Sequence, residues 1–150
     1  MSPVIETVSD RQRALPPPTY RPLAHEEAPM SRLDQLNATL RHLQNESPGV
    51  EASALISEDG LMIASALPQD LDEGRVAGMS ATLLNLGNRA ASELRRGLVQ
   101  EVIVRGEDGY AVMINAGRGA LLLVLANSTS KLGLIFFDMR EAIGRIKVIL

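Results

Sequence analysis

The stretch from Glu73 to Arg96, EGRVAGMSATLLNLGNRAASELRR, carries more apolar periodicity than one helix face can use. Val76, Met79, Leu83, Leu86, Ala90 and Leu94 recur at three- and four-residue steps, which places them on one stripe of a helix over 73–96. Such a stripe predicts a helix lying on a sheet. Beside it runs a second stripe, Ala77, Ala81, Leu84, Asn88 and Ala91, mostly small, and small residues let another backbone come close. Gly78 and Gly87 point the same way, since glycine costs a helix interior about 1 kcal/mol relative to alanine. Two readings fit. Both stripes belong to one wide buried face, or the Val76 to Leu94 stripe covers the sheet while the Ala77 to Ala91 stripe meets a copy of the same helix.

A third flank is polar: Arg75, Thr82, Asn85, Arg89, Ser92 and Arg96 also line one side of this helix. Ordinary solvation explains such residues. So does a surface for a protein partner, for which arginine offers a planar set of donors on an apolar stem.

The rest of the chain supplies the sheet. Residues 1 to about 30 hold six of the eight prolines and no sustained apolar period, and read as a disordered or polyproline-like tail before a domain over 31–150. Within the tail, LPPPTYRP at 15–22 reads either as a spacer or as a docking peptide. Ser31 caps a helix with a Leu33, Leu36, Leu40, Leu43 stripe, stopped at Ser47-Pro48-Gly49. Two hairpins follow, turning at Glu58-Asp59-Gly60 and Glu107-Asp108-Gly109, with the first strand of the second hairpin over about 98–105. The apolar run at 119–126 suits a central strand buried on both faces, and Leu132, Ile135, Phe136, Met139, Ile143 and Ile146 mark a last helix.

The expected order is α-β-β-α-β-β-β-α, an α+β fold with a five-stranded, mainly antiparallel sheet between helical layers. The strand at 98–105 falls at an edge, and pairing it with its counterpart in a second subunit would close that edge.

Composition narrows the function. At 150 residues and 45% hydrophobic content the chain suits one domain with a real core. A net charge of −3 offers no basic footprint for nucleic acid. With no cysteines, thiolate metal sites and cysteine nucleophiles are excluded, and no apolar run reaches the roughly 20 residues that span a bilayer. A cytoplasmic protein with no secretory signal is the expectation.

Catalytic motifs are wanting. His25 and His42 stand without a nucleophile motif, and Ser128, Thr129 and Ser130 read as loop and cap residues. Gly117-Arg118-Gly119 lies between two strands, where a hairpin turn and not a phosphate cradle is expected. Asp70, Asp72 and Glu73 suit the positive end of a helix dipole and do not match a calcium loop. No catalytic, cofactor or metal residue is assigned.

The order and the segments GVEASALISEDGLMIASALP, DLDEGRVAGMSATLLNLGNRAASEL, RGEDGYAVMINAG and GALLLVLAN leading into KLGLIFFDMREAIGRI resemble the Roadblock family, related to dynein light chains, and within it the bacterial MglB-like members. The resemblance covers about residues 32–147. It implies a Roadblock/profilin-like three-layer α-β-α fold and a homodimer joined through the third strand, with the two long helices side by side. The dimer interface would then hold Ala77, Ala81, Leu84, Asn88, Ala91, Val102 and Val104. It further implies a non-catalytic platform for a small Ras-like GTPase, with Arg75, Thr82, Asn85, Arg89, Ser92 and Arg96 as the partner surface. A structural adaptor without effect on hydrolysis and a small-molecule sensing module are the alternatives. The proline-rich tail departs from the family pattern.

Overall fold

The first helix begins where its cap predicts. In the computed structural model, which describes residues 30–150, the Ser31 hydroxyl accepts a hydrogen bond from the Asp34 amide at 3.1 Å and α1 runs over Arg32–Glu46. The tail expected over 1–30 lies, apart from Met30, outside the described residues, and His25 with it. After α1 come β1 (Val50–Ser57), β2 (Met62–Ala66), α2 (Glu73–Glu93), β3 (Val102–Gly106), β4 (Gly109–Gly117), β5 (Ala120–Asn127) and α3 (Leu132–Ile149). This is the α-β-β-α-β-β-β-α order.

The strands form one antiparallel sheet in the order β2-β1-β5-β4-β3, with β5 at the centre and β3 at an edge. Because side chains alternate across a strand, β5 serves two cores. Leu122, Val124 and Ala126 face α1 and α3, where Leu36, Leu40, Leu43, Ile135, Met139, Ile143 and Ile146 close over them. Leu121 and Leu123 point the other way and meet α2 with Ile56 and Met113. The result is a three-layer α-β-α domain.

Several local expectations are corrected. Leu33 does not join the α1 stripe in the core but is exposed in the first turn of the helix. The second hairpin turns on Glu107-Asp108 alone, since Gly106 pairs with Gly109. Gly109 is already in the strand, at φ 150°, and a Cβ there would collide with the Ala126 carbonyl oxygen of β5. The left-handed pair expected of a tight hairpin instead occurs between β4 and β5, where Arg118 and Gly119 have φ of 51° and 74°.

The long helix ends at Glu93, not Arg96. The Arg96 amide bonds to the Ala91 carbonyl at 2.7 Å and the Arg95 amide to Ser92 at 3.1 Å, the two bonds of a Schellman stop. Arg95 holds the left-handed position at φ 56°, where glycine is the usual occupant. The strand expected over 98–105 therefore starts only at Val102. Before it, Val99 is drawn towards α2 and Glu101 reaches Arg140 of α3 at 3.5 Å, so the segment is held by the helices rather than by the sheet.

The stop of α2 gives a first prediction. Arg95→Gly removes a left-handed strain of roughly 1 kcal/mol, partly offset by unfolded-state entropy, so thermal melts should show the variant at least as stable as the parent. The opposite holds at Gly109: Gly109→Ala should lower the melting temperature clearly, because neither strand backbone can retreat from a Cβ at that site.

Candidate functional site

The three flanks of α2 all exist, but two have exchanged places. Ala77 (0% exposed), Ala81 (5%) and Leu84 (3%), with Ser80 between them, lie against the chain's own sheet. They are buried within one subunit and are not open to a twin helix. Of the same stripe, Asn88 is exposed and Ala91 half-buried towards the C-terminal end. The stripe expected on the sheet is turned outward instead: Met79 and Leu86 are each 59% exposed, Leu83, Ala90 and Leu94 are exposed, and only Val76 is half-buried.

Side-chain size accounts for the exchange. Small residues bring a helix axis closer to the surface it packs on, and close packing recovers dispersion contacts that a taller layer would lose. Gly87 is the clearest sign of how near the helix comes: a Cβ there would lie 2.6 Å from a methyl of Val102 on β3. At the other flank, Gly60 of the β1–β2 turn packs beside Gly78, and Asn85 Nδ2 donates to the Glu58 carbonyl at 3.5 Å.

These contacts orient the remaining faces. Successive residues turn by about 100° around a helix, so with Gly87 over β3 and Asn85 over the β1–β2 turn, the Met79, Leu83, Leu86, Ala90 stripe lies outward on the β3 side. Leu98, in the link between α2 and β3, is exposed, and on the edge strand so are Val104, on the α2 side, and Ile103, on the other. Val102, expected at the interface with Val104, is half-buried beneath α2. β3 has a neighbour, β4, on one side only, so its other row of backbone groups is unpaired within the sheet.

The polar flank is in place except at its C-terminal end. Arg75, Thr82, Asn85, Arg89 and Ser92 are all exposed on the side of α2 away from β3, whereas Arg96, expected on the same flank, is exposed but lies beyond the end of the helix, after the left-handed Arg95. Thr82 turns its hydroxyl back to the Gly78 carbonyl at 2.8 Å, and Arg89 meets Glu93 at 3.3 Å in a solvated pair worth little to stability. Asp72, next to this flank, caps α2 by accepting from the Arg75 amide at 3.0 Å, which accounts for the acidic entry without a ligand.

No group of three or more His, Asp or Glu could hold a metal among the described residues, and His42 is exposed on α1. Asn127 accepts from the Thr129 amide and from the Thr129 and Ser130 hydroxyls, so those hydroxyls order a turn before α3. No described helix is long and apolar enough to cross a membrane. Sequence periodicity missed the outward apolar face of α2, and the signal that could have found it was the concentration of alanine and serine on the neighbouring stripe.

A three-layer domain with a central antiparallel sheet and one outer helix offering an apolar stripe beside an open strand is of the profilin-like fold class. The chain belongs to the Roadblock/LC7 domain family, whose pattern matches residues 36–126. An uncharacterized protein of Methanocaldococcus jannaschii is 35% identical over 103 residues, covering 69% of this chain and 90% of its own. Among solved structures, the Roadblock/LC7 domain of Streptomyces avermitilis aligns with a TM-score of 0.70 at 23% identity, covering 75% of this chain and 94% of that one. The gliding protein MglB of Thermus thermophilus aligns with a TM-score of 0.70 at 20% identity, covering 81% and 93%. At these identities the two structures establish likeness of fold.

The exchange of faces is open to test by denaturant unfolding. Ala81→Leu should lower stability by about 1–3 kcal/mol, since it overpacks a site with no room. A variant with an unchanged unfolding midpoint would mean that the small stripe does not lie on the sheet.

Proposed function

We propose that this chain is a non-catalytic homodimer that binds a small Ras-like GTPase in the cytoplasm and regulates it. The observation that carries the reading is the outward apolar stripe of α2 on the side of the open edge strand β3. Two copies meeting there would set β3 against β3 and α2 against α2 about a two-fold axis, extending the sheet and covering Met79, Leu83 and Leu86. The interface proposed is thus Met79, Leu83, Leu86, Ala90, Val102 and Val104, with Asn88 and Ala91 near its margin. Ala77, Ala81 and Leu84 stay inside each subunit.

Membership of the Roadblock/LC7 family supports the partner, as does the fold likeness to MglB. In such a dimer the polar flanks of both α2 helices remain free, and Arg75, Arg89 and Arg96 offer a GTPase a broad donor surface on each side. A dimer that lends the reaction no catalytic group would act by binding one arrangement of the partner's switch segments better than the other. The space between α2 and the sheet is filled by Ile56, Met113, Leu121 and Leu123 against the small stripe, which weighs against a small-molecule sensor built there.

Two measurements test this. Leu86→Arg should give a folded protein that elutes as a monomer in light-scattering chromatography, whereas a variant dimer equal to the parent would remove the proposed interface. GTP turnover by a small Ras-like GTPase should change when the protein is added, and Arg89→Glu should weaken that effect while leaving stability near the parent's, since Arg89 makes only a solvated ion pair. Binding without any change in turnover would leave an adaptor.

A further inference from the structure

The open edge of β3 has a fixed pattern of backbone groups and of charge. The Asn127 amide donates to the Gly49 carbonyl at 2.9 Å, so odd-numbered residues of β5 turn their backbone groups towards β1 and even-numbered ones towards β4. The alternation carries across the sheet through the pairs Ala126–Tyr110 and Ala111–Val104. Val102, Val104 and Gly106 therefore bond to β4, while Ile103, Arg105 and, one step before the strand, Glu101 turn their N–H and C=O groups to the open side. The side chains of these three share the face away from α2, where Arg105 lies over the Tyr110 ring at 5.8 Å and Glu101 reaches Arg140 of α3.

We propose that a second copy pairs with this edge in one register, its two-fold axis beside Ile103, so that Glu101 of each copy stands opposite Arg105 of the other. This register rests on the homodimer proposed above and fixes how its strands meet. Outward-facing residues pair only with outward-facing ones, so the axis must lie beside a single residue position of β3. At 104, Ile103 would face Arg105 and Glu101 would face Glu107; at 105, the two Arg105 side chains would face each other. At 102, Arg105 would face Val99 and Val104 would face Gln100, and at 106 the strands would meet through their turns. Only at 103 does Ile103 meet Ile103, Val102 meet Val104 on the α2 side, and a Glu101–Arg105 pair close each end. Opposite charges directly across a strand pair stabilise it and like charges destabilise it.

The single subunit leaves both charges in need of such a partner. Glu101 Oε2 is buried without a hydrogen bond, and Arg140 stands 3.5 Å from it, longer than the about 2.7–2.9 Å of a good charge-assisted bond. Arg105 is exposed and has no ion pair among the described residues. The level of α2 agrees as well. Gly87 sits over Val102, one residue from the proposed axis, so Leu83, Leu86 and Ala90 on either side of it are the outward residues that two helices would bring together. An edge with a carboxylate two residues before an apolar centre and a guanidinium two residues after it is complementary to itself. A strand without that pattern forfeits both ion pairs, and the partner selected is a copy of the same chain.

Disulfide trapping in the full chain reads the register, because the native sequence has no cysteine. With the axis at 103, position 102 of one copy and 104 of the other form a non-hydrogen-bonded pair with Cα atoms about 4.5 Å apart, within the roughly 4.4–6.8 Å that a disulfide spans. Two residues 102, or two residues 104, are offset by about 7 Å along the strands in addition to the gap between them, and cannot be bridged. Val102→Cys and Val104→Cys chains, co-expressed and mildly oxidised, should give covalent dimers, and each variant alone should give none. Trapping by either variant alone would overturn the proposal. A dimer by light scattering that no sample traps would overturn the register and leave the homodimer, whereas a monomeric parent would overturn both. Arg105→Glu, at an exposed site, is the second arm should Val102→Cys not fold. It sets Glu against Glu twice and should raise the dimer dissociation constant about tenfold at low salt, less at high salt, while Arg118→Glu, in the turn between β4 and β5, should not. Equal constants for the two charge variants would overturn the pairing.

Discussion

The close seating of α2 on the sheet is the constraint from which the rest of the domain follows. Alanine at 77 and 81 and serine at 80 lower the helix until Gly87 meets Val102 and Gly78 meets the β1–β2 turn. With its shallow stripe used against β1, β4 and β5, the helix has no buried place left for Met79, Leu83 or Leu86. These large side chains therefore point outward, beside a strand whose edge is unpaired. A helix with large residues inward would stand further from the sheet and present alanines to solvent, and the domain would then have an ordinary surface there. The apolar outer face is a geometric by-product of tight packing beneath it.

The two sides of the sheet differ accordingly. Towards α1 and α3 the core is thick, with leucine, isoleucine and methionine from two helices over one face of β1, β4 and β5. Towards α2 a single helix covers the sheet and leaves β3 only partly sheltered, so Val104 and Ile103 remain exposed. A domain built this way is firm on one side and has unsatisfied apolar surface on the other. The thick side is closed by two helices, while the thin side keeps apolar surface open to solvent.

Much of this was legible in the sequence because local chemistry dictates local structure. Ser31, the stop at Ser47-Pro48-Gly49, the acidic turns and the unbroken apolar run at 119–126 mark the elements and their order without reference to anything distant. The polar flank of α2 was legible too, since arginine and asparagine at helical spacing stay in solvent. Which apolar stripe faces the sheet was not, because periodicity reports that a face is apolar without saying what it is buried against. The end of α2 was also obscured: Arg95 takes a left-handed position usually given to glycine, while the glycine that would announce the stop comes two residues later.

The central position of β5 bears on how the chain acquires its structure. The β1–β2 and β3–β4 hairpins form from neighbouring residues, but β1 and β4 meet only through β5, as in the pairing of Ile56 with Leu121 across 65 positions of sequence. Until residues 120–127 are available, the two halves of the sheet are separate ribbons, each with an open side, and two-stranded ribbons are marginal in water. Closure of so long a loop makes that step slow relative to hairpin formation. During synthesis, then, the domain completes itself only near its end, when one late strand joins two waiting halves and brings α3 behind it to seal the thicker layer.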